Sequence, residues 1–319
     1  MKVKFWGVRG SIPAPLKGTQ VREKIRKVLD YATPADVLSD EAIERFLDSL
    51  PYSLTHTYGS NTTCLEIRSQ HDDLFIIDAG TGIRELGYQL LKEGYADGQG
   101  RATMLFTHTH WDHIQGLPFF VPFFIEGNQF EIHAVSENID DRLAYQHSQR
   151  HFPVSFDGMA ATKQFFQHAE SEQWQKNGIQ ISHKGMRHPG NSYSYRLEED
   201  GKVLIFGSDA EFKLEDMDII DSYIDYFRDA DVLIFDTQYT FEEQLQRIDW
   251  GHSSASIATD IALKSNVKKL VLFHHDPSYT DAKLDEVFLR SLRYREMMDH
   301  TRSSQLEILI AYEGLEIEL

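Results

Sequence analysis

The sequence predicts an α/β protein built as a sandwich of two sheets with helices outside. Three observations carry this. Five short apolar runs occupy the first half (Val3 to Phe5, Thr63 to Ile67, Leu74 to Ile77, Thr103 to Phe106, Phe130 to Val135), with turn signals between them. Six more occupy the second half: Gly178 to His183, Ser192 to Leu197, Val203 to Phe206, Val232 to Phe235, Lys269 to Phe273 and Glu307 to Ala311. Charged stretches with helical spacing lie around them. The 41% hydrophobic content of 319 residues suffices for a substantial core, and a single domain over 1–319 is expected.

In chain order, Met1-Lys2-Val3-Lys4-Phe5 passes directly into the first strand, so no secretory leader is expected. Residues 17–50 place Val21, Ile25, Val28 and Leu29, then Ile43, Phe46 and Leu47, at helical spacing, which predicts a helical insertion packed beside the body. The single cysteine, Cys64, forbids an intrachain disulfide and falls in a strand-like run, where a buried inert thiol is expected. Gly116 to Gly127 is too short and too proline-broken to span a membrane, and the cytoplasm is the expected compartment. Within it, the aromatics of Leu117 to Phe124 read as core or dimer contact ahead of a base-binding wall. Glu215 to Asp231 reads as a solvated acidic face, and His147, His151 and His168 have no motif around them.

Chemistry enters at Thr107-His108-Thr109-His110-Trp111-Asp112-His113, directly after the apolar Met104-Leu105-Phe106. A lone His-x-His most often just caps a strand. Four ligand-type side chains in six positions point instead to divalent metal. If Thr107 to His110 finish a strand, His108 and His110 share a face and grip one ion. Asp112 and His113 follow on the turn, free of alternation, and can reach a second.

The chain here resembles the metallo-β-lactamase-fold hydrolases, and within them the RNase Z-like phosphodiesterase branch. The likeness covers nearly the whole chain. It opens at Lys4-Phe5-Trp6-Gly7-Val8-Arg9-Gly10-Ser11-Ile12-Pro13 and continues through Tyr58 to Ile67 and Phe75-Ile76-Ile77-Asp78-Ala79-Gly80-Thr81-Gly82. The resemblance implies an αββα sandwich of two mixed sheets. It implies that His188, in Arg187-His188-Pro189-Gly190-Asn191, joins His108 and His110. Asp209, ending Val203 to Asp209, is implied as the carboxylate between two ions, and His274, ahead of His275, as a ligand beside Asp112 and His113. Gly251-His252-Ser253-Ser254-Ala255 is similar to the Gly-His-Ser-Thr-Ala segment of RNase Z-like enzymes, whose histidine serves the scissile phosphate. His252 is therefore the general-acid candidate, at a helix start with Ser253 or Ser254 as cap. Asp78 reads either as a carboxylate orienting a ligating imidazole or as a turn cap.

The implied chemistry is a binuclear site, with zinc expected and manganese or iron alternatives, in which a metal-bridging hydroxide attacks phosphorus. Asp112 and His252 are the catalytic candidates. A formal charge of −18 favours a small phosphodiester, with a 3′,5′-cyclic nucleotide as the best single expectation, over a long nucleic acid. The chain also lacks an obvious Gly/Pro-rich substrate arm, which argues against tRNA processing. Thioester, lactone or β-lactam hydrolysis, RNA processing, and a non-catalytic metal-binding role stay as alternatives, and a homodimer stays open.

Overall fold

The computed structural model describes residues 1–213, 217–299 and 304–319. Among these lie fourteen strands in two seven-stranded sheets. The first sheet contains β1 (Lys2–Gly7), β2 (Cys64–Arg68), β3 (Leu74–Ile77), β4 (Arg101–Phe106), β5 (Gln129–Ala134) and β6 (Thr162–Gln167). The second contains β7 (Gln173–Lys176), β8 (Ile179–Met186), β9 (Ser192–Glu199), β10 (Lys202–Phe206), β11 (Val232–Asp236), β12 (Lys269–Phe273) and β13 (Glu307–Ile310). The last strand, β14 (Glu316–Glu318), returns to the first sheet and pairs with β1. The strand orders are β14-β1-β2-β3-β4-β5-β6 and β13-β12-β11-β10-β9-β8-β7.

Both sheets are mixed. β3 to β6 run parallel, as do β10 to β13, and the rest of each sheet is antiparallel. The inner strands β3, β4, β10, β11 and β12 are largely buried on both faces, as their continuous apolar runs require. Phe5, Phe75, Leu105, Leu204, Phe206, Ile234 and Phe273 fill the space between the sheets. Helix Ile83–Leu90 and the segment around Phe120 and Phe123 cover the outer face of one sheet. Helices Met217–Phe227, Ala255–Lys264 and Asp281–Met298 cover the other. This is the expected αββα sandwich.

Three strands escaped the sequence reading: β6 is largely exposed, β7 is Gln-Trp-Gln-Lys, and β14 is three residues long. Each ends a sheet, where one flank stays wet and the apolar signal fades. Residues 17–50 are helical as expected, in helices Gly18–Tyr31 and Asp40–Ser49, and neither buries a residue. Lys24 anchors the first, donating to the His56 carbonyl at 2.7 Å and pairing with Asp281. Cys64 is buried, and burial pushes its thiol well up. Phe120 and Phe123 are core residues, whereas Phe119 and Phe124 are exposed, so the aromatic run is only partly core. Of the acidic run, Glu215 and Asp216 lie outside the described residues. In the remainder, Tyr223 and Phe227 pack into the core, so that helix is not simply a solvated face. No helix among the described residues is long and apolar enough to cross a membrane.

His168, expected to be ordinary, belongs to a buried stack. Its Nε2 lies 2.9 Å from His133 Nδ1, and its ring lies 3.7 Å from that of Trp174. Burial first, and His168 second, push His133 down to about 4. The folded chain thus refuses a proton that an unfolded histidine accepts below about 6.5. Its stabilising effect is complete above that value and is lost as pH falls toward 4. The urea midpoint should therefore drop between pH 7 and pH 4.5, and His133→Gln should flatten that slope in equilibrium unfolding.

Candidate metal centre

The parallel strands deliver the chemistry. β3, β4, β10, β11 and β12 end on one edge of the sandwich, and β9, antiparallel to β10, begins there. Their loops carry Asp78, the His108–His113 cluster, Asp209, Asp236, His274 and, just before β9, His188. Strand ends are where backbone groups leave the ladder and side chains can converge.

Two ligand-type groups result. His108, His110, His188 and Asp209 form one, and Asp112, His113, Asp209 and His274 form the other. Asp209 belongs to both: Oδ2 lies 3.7 Å from His108 Nε2, 3.8 Å from His188 Nε2 and 3.2 Å from His113 Nε2, while Oδ1 lies 3.4 Å from His274 Nε2. All seven sequence candidates therefore meet.

The route differs from the expected one in two places. β4 stops at Phe106, so His108 and His110 converge through the loop, not by strand alternation. His274 has left β12 and sits at φ 62°, a left-handed conformation costly for a residue with a Cβ. That turn aims His274 at the cluster, whereas His275 donates Nε2–H to the Ala311 carbonyl at 2.8 Å and stays buried away from it. Asp78 and Ser208, the residue before Asp209, share this backbone region at φ 58° and 55°. Ligand placement is thus held against local strain.

The imidazole tautomers are set from behind. His113 Nδ1 donates to Asp78 Oδ2 at 2.7 Å, and His188 Nδ1 donates to the Gly251 carbonyl at 2.8 Å. Each turns its Nε2 into the cluster, and against burial the carboxylates of Asp209, then Asp112 and Asp78, hold the His113 pKa well above the usual histidine range. Asp78 also accepts from the Thr107 N–H and hydroxyl, so it orients an imidazole and caps a turn at once. Burial, ahead of neighbouring imidazoles or any carboxylate attraction, holds His108, His110 and His188 below the usual histidine range. Asp112 and Asp209 stay ionised: burial opposes this, but His113 and His274 outweigh it.

The residues fit divalent cations on one further ground. His108 Nε2, His113 Nε2 and Asp209 Oδ1 are buried with no hydrogen-bond partner among the described residues, a costly state that coordination would relieve. His110 Nδ1 and His188 Nε2 lie 2.9 Å apart, near the spacing of two nitrogens on one ion.

A third group, Asp236, His252 and His274, adjoins these. His252 Nδ1 donates to Asp236 Oδ2 at 2.8 Å, and its ring lies 5.0 Å from that of His274 and 5.3 Å from that of His188. Burial pulls the His252 pKa down, but Asp236 foremost, then Asp209 and Asp112, raise it to about 9. Asp236 was missed in the sequence, although it ends β11 much as Asp209 follows β10. Ser254 takes the N-cap place of helix Ala255–Lys264 without a side-chain bond, and Ser253 Oγ instead donates to the Ala210 carbonyl.

A family model described as "Beta-lactamase superfamily domain" matches residues 74–275, more than half of the chain. The chain belongs to the β-lactamase superfamily. Within that superfamily it is an RNase Z-like, metal-dependent hydrolase. A protein named "Ribonuclease Z" from Prochlorococcus marinus (strain NATL1A) is 24% identical over 276 residues, covering 70% of this chain and 85% of its own length. Unliganded yeast PDE1 superposes with a TM-score of 0.64 at 15% identity over 100% of this chain and 99% of its own. The short form of human tRNase Z does so with a TM-score of 0.61 at 15% identity, over 100% and 99%. These structural likenesses establish the fold of this superfamily member.

Two packing contacts make sharp tests. Gly251 has φ +88°, and a Cβ there would come within 2.3 Å of His188 Nδ1. Gly251→Ala should therefore displace both His188 and His252, lowering kcat/KM by at least about 100-fold and, through the positive φ, lowering the urea midpoint as well. Asp78→Asn should weaken metal retention by about 10- to 100-fold, read by chelator competition, because the His113 tautomer loses its partner.

Proposed function

We propose that the chain is a binuclear phosphodiesterase acting on a small phosphodiester, with a 3′,5′-cyclic nucleotide the leading substrate. The observation that carries it is the Asp236–His252 pair set beside both ligand groups. A thiolate leaves a thioester without a dedicated proton donor, whereas an alkoxide leaving phosphorus calls for one. His108, His110 and His188 would hold one ion, Asp112, His113 and His274 the second, and Asp209 both. Two divalent ions so held supply a water ionised near neutral pH and positive charge opposite the phosphoryl oxygens.

The protein's own part is orientation and proton delivery. Asp112 Oδ2 accepts the Ser11 N–H at 2.7 Å and lies 3.1 Å from His274 Nε2, which fixes the second group against the Gly10 loop. Asp236 is itself pinned by the Ala210 and Gln238 N–H groups, so His252 is held in one orientation. His252, whose pKa Asp236 raises against burial, would neutralise developing phosphoryl charge and pass its proton to the departing oxygen. The formal charge of −18 disfavours a long polyanion.

A ribonuclease reading has one finding behind it: the curated relatives bear the name "Ribonuclease Z". One panel on metal-analysed protein separates the readings, using cyclic nucleotides, bis-p-nitrophenyl phosphate, a precursor tRNA, a thioester and nitrocefin. Turnover of the cyclic nucleotides and the aryl diester is expected. Cleavage confined to tRNA would replace the small substrate, and turnover of the thioester or nitrocefin alone would overturn phosphodiester chemistry.

A further inference from the structure

We propose that Trp250, backed by Arg247, forms a subsite on which the heteroaromatic base of a nucleotide substrate stacks; the assignment rests on the phosphodiesterase reading of the adjoining centre. The chain has four tryptophans. Trp6 and Trp174 pack against the core, whereas Trp111 and Trp250 are each 62% exposed. Both exposed indoles adjoin residues of the centre. Trp111 follows His110, and Trp250 precedes Gly251, whose carbonyl holds His188.

Trp250 is exposed but not loose. Glu211, itself buried, accepts the Asp249 N–H through Oε1 and the Gly251 N–H through Oε2, each at 3.0 Å. One carboxylate thus pins the residues on both sides of Trp250. The Trp250 N–H is taken by the Arg247 carbonyl at 3.1 Å, and Asp249 pairs with Lys213 at 2.5 Å. A large apolar ring held out in water by a pinned backbone forgoes the burial that stabilises most tryptophans.

The ring is also linked to the proton donor. The Arg247 guanidinium lies 6.0 Å from the Trp250 ring centre and 4.9 Å from that of Tyr239, and the Tyr239 ring stands 5.8 Å from that of His252. Among the described residues Arg247 makes one long bond, 3.5 Å to the Glu243 carbonyl. Its planar fork therefore stiffens the platform and keeps donors for acceptor atoms at a base edge. The phosphate and sugar of a substrate gain little from an indole face. A base gains its stacking free energy.

Calorimetric titration of adenosine 5′-monophosphate and of ribose 5-phosphate into metal-loaded protein tests this, with Trp250→Ala and Trp250→Phe alongside. Wild type should bind the nucleotide more tightly than the sugar phosphate. Trp250→Ala should weaken the nucleotide by roughly 5- to 150-fold, leave ribose 5-phosphate within about twofold, and be rescued by Trp250→Phe. Equal affinity of wild type for the two probes, or equal effects of Trp250→Ala on both, would overturn the subsite. Selective loss of the nucleotide in a protein that hydrolyses no phosphodiester would retain the subsite and remove the reaction assigned beside it.

Discussion

Asp209→Asn is expected to abolish turnover and to lower the metal content of the purified chain. The side chain stands between the two ligand groups, with His108, His113 and His188 on Oδ2 and His274 on Oδ1. An amide keeps the shape and removes the charge, which is the property that matters. Two dications a few ångströms apart repel strongly, and a shared carboxylate offsets much of that repulsion. Loss of a single neutral donor at an active site costs about 10²- to 10³-fold in rate. Loss of a group serving both ions should exceed that, with kcat/KM falling by more than about 10³-fold. Elemental analysis of the purified variant beside its kinetics checks both halves. Full metal content with wild-type rates would show that Asp209 holds neither ion.

How much of this was legible in the sequence depends on how local each signal is. The H-x-H-x-D-H cluster is contiguous, so its chemistry could be read before any fold was known. His188, Asp209 and His274 are scattered, and only the order of motifs tied them to it. The pairing geometry was less visible. β4 ends before His108, and His274 sits in a left-handed turn, so the argument from strand alternation reached the right residues for a reason the backbone does not supply. Asp236 and Glu211 were missed because each acts through another residue, on His252 and on the 249–251 loop respectively. No spacing rule reveals a partner that lies 16 or 40 residues away and becomes adjacent only after folding. The sheet edges were missed for the opposite reason: β6, β7 and β14 carry too few buried side chains to leave a pattern.

His252→Ala should separate proton delivery from metal binding. The residue belongs to neither of the two groups that share Asp209, so the variant should keep the metal content of the wild type. Its loss should lower kcat by about 10²- to 10⁴-fold on a substrate with an alkoxide leaving group, the range of a positioned general acid. The loss should be much smaller on bis-p-nitrophenyl phosphate. A p-nitrophenolate departs without a proton, so only the electrostatic share of the His252 contribution is forfeited there. Asp236→Asn should fall between wild type and His252→Ala. It leaves an imidazole in place while removing the carboxylate that chiefly lifts its pKa to about 9, so the variant should lose activity on the alkaline side of the wild-type pH profile first. The sign follows from the acid role: a donor whose pKa drops is deprotonated at lower pH, and the falling limb of the profile moves down with it. Equal losses on the two leaving groups, with metal retained, would show that His252 acts by charge alone.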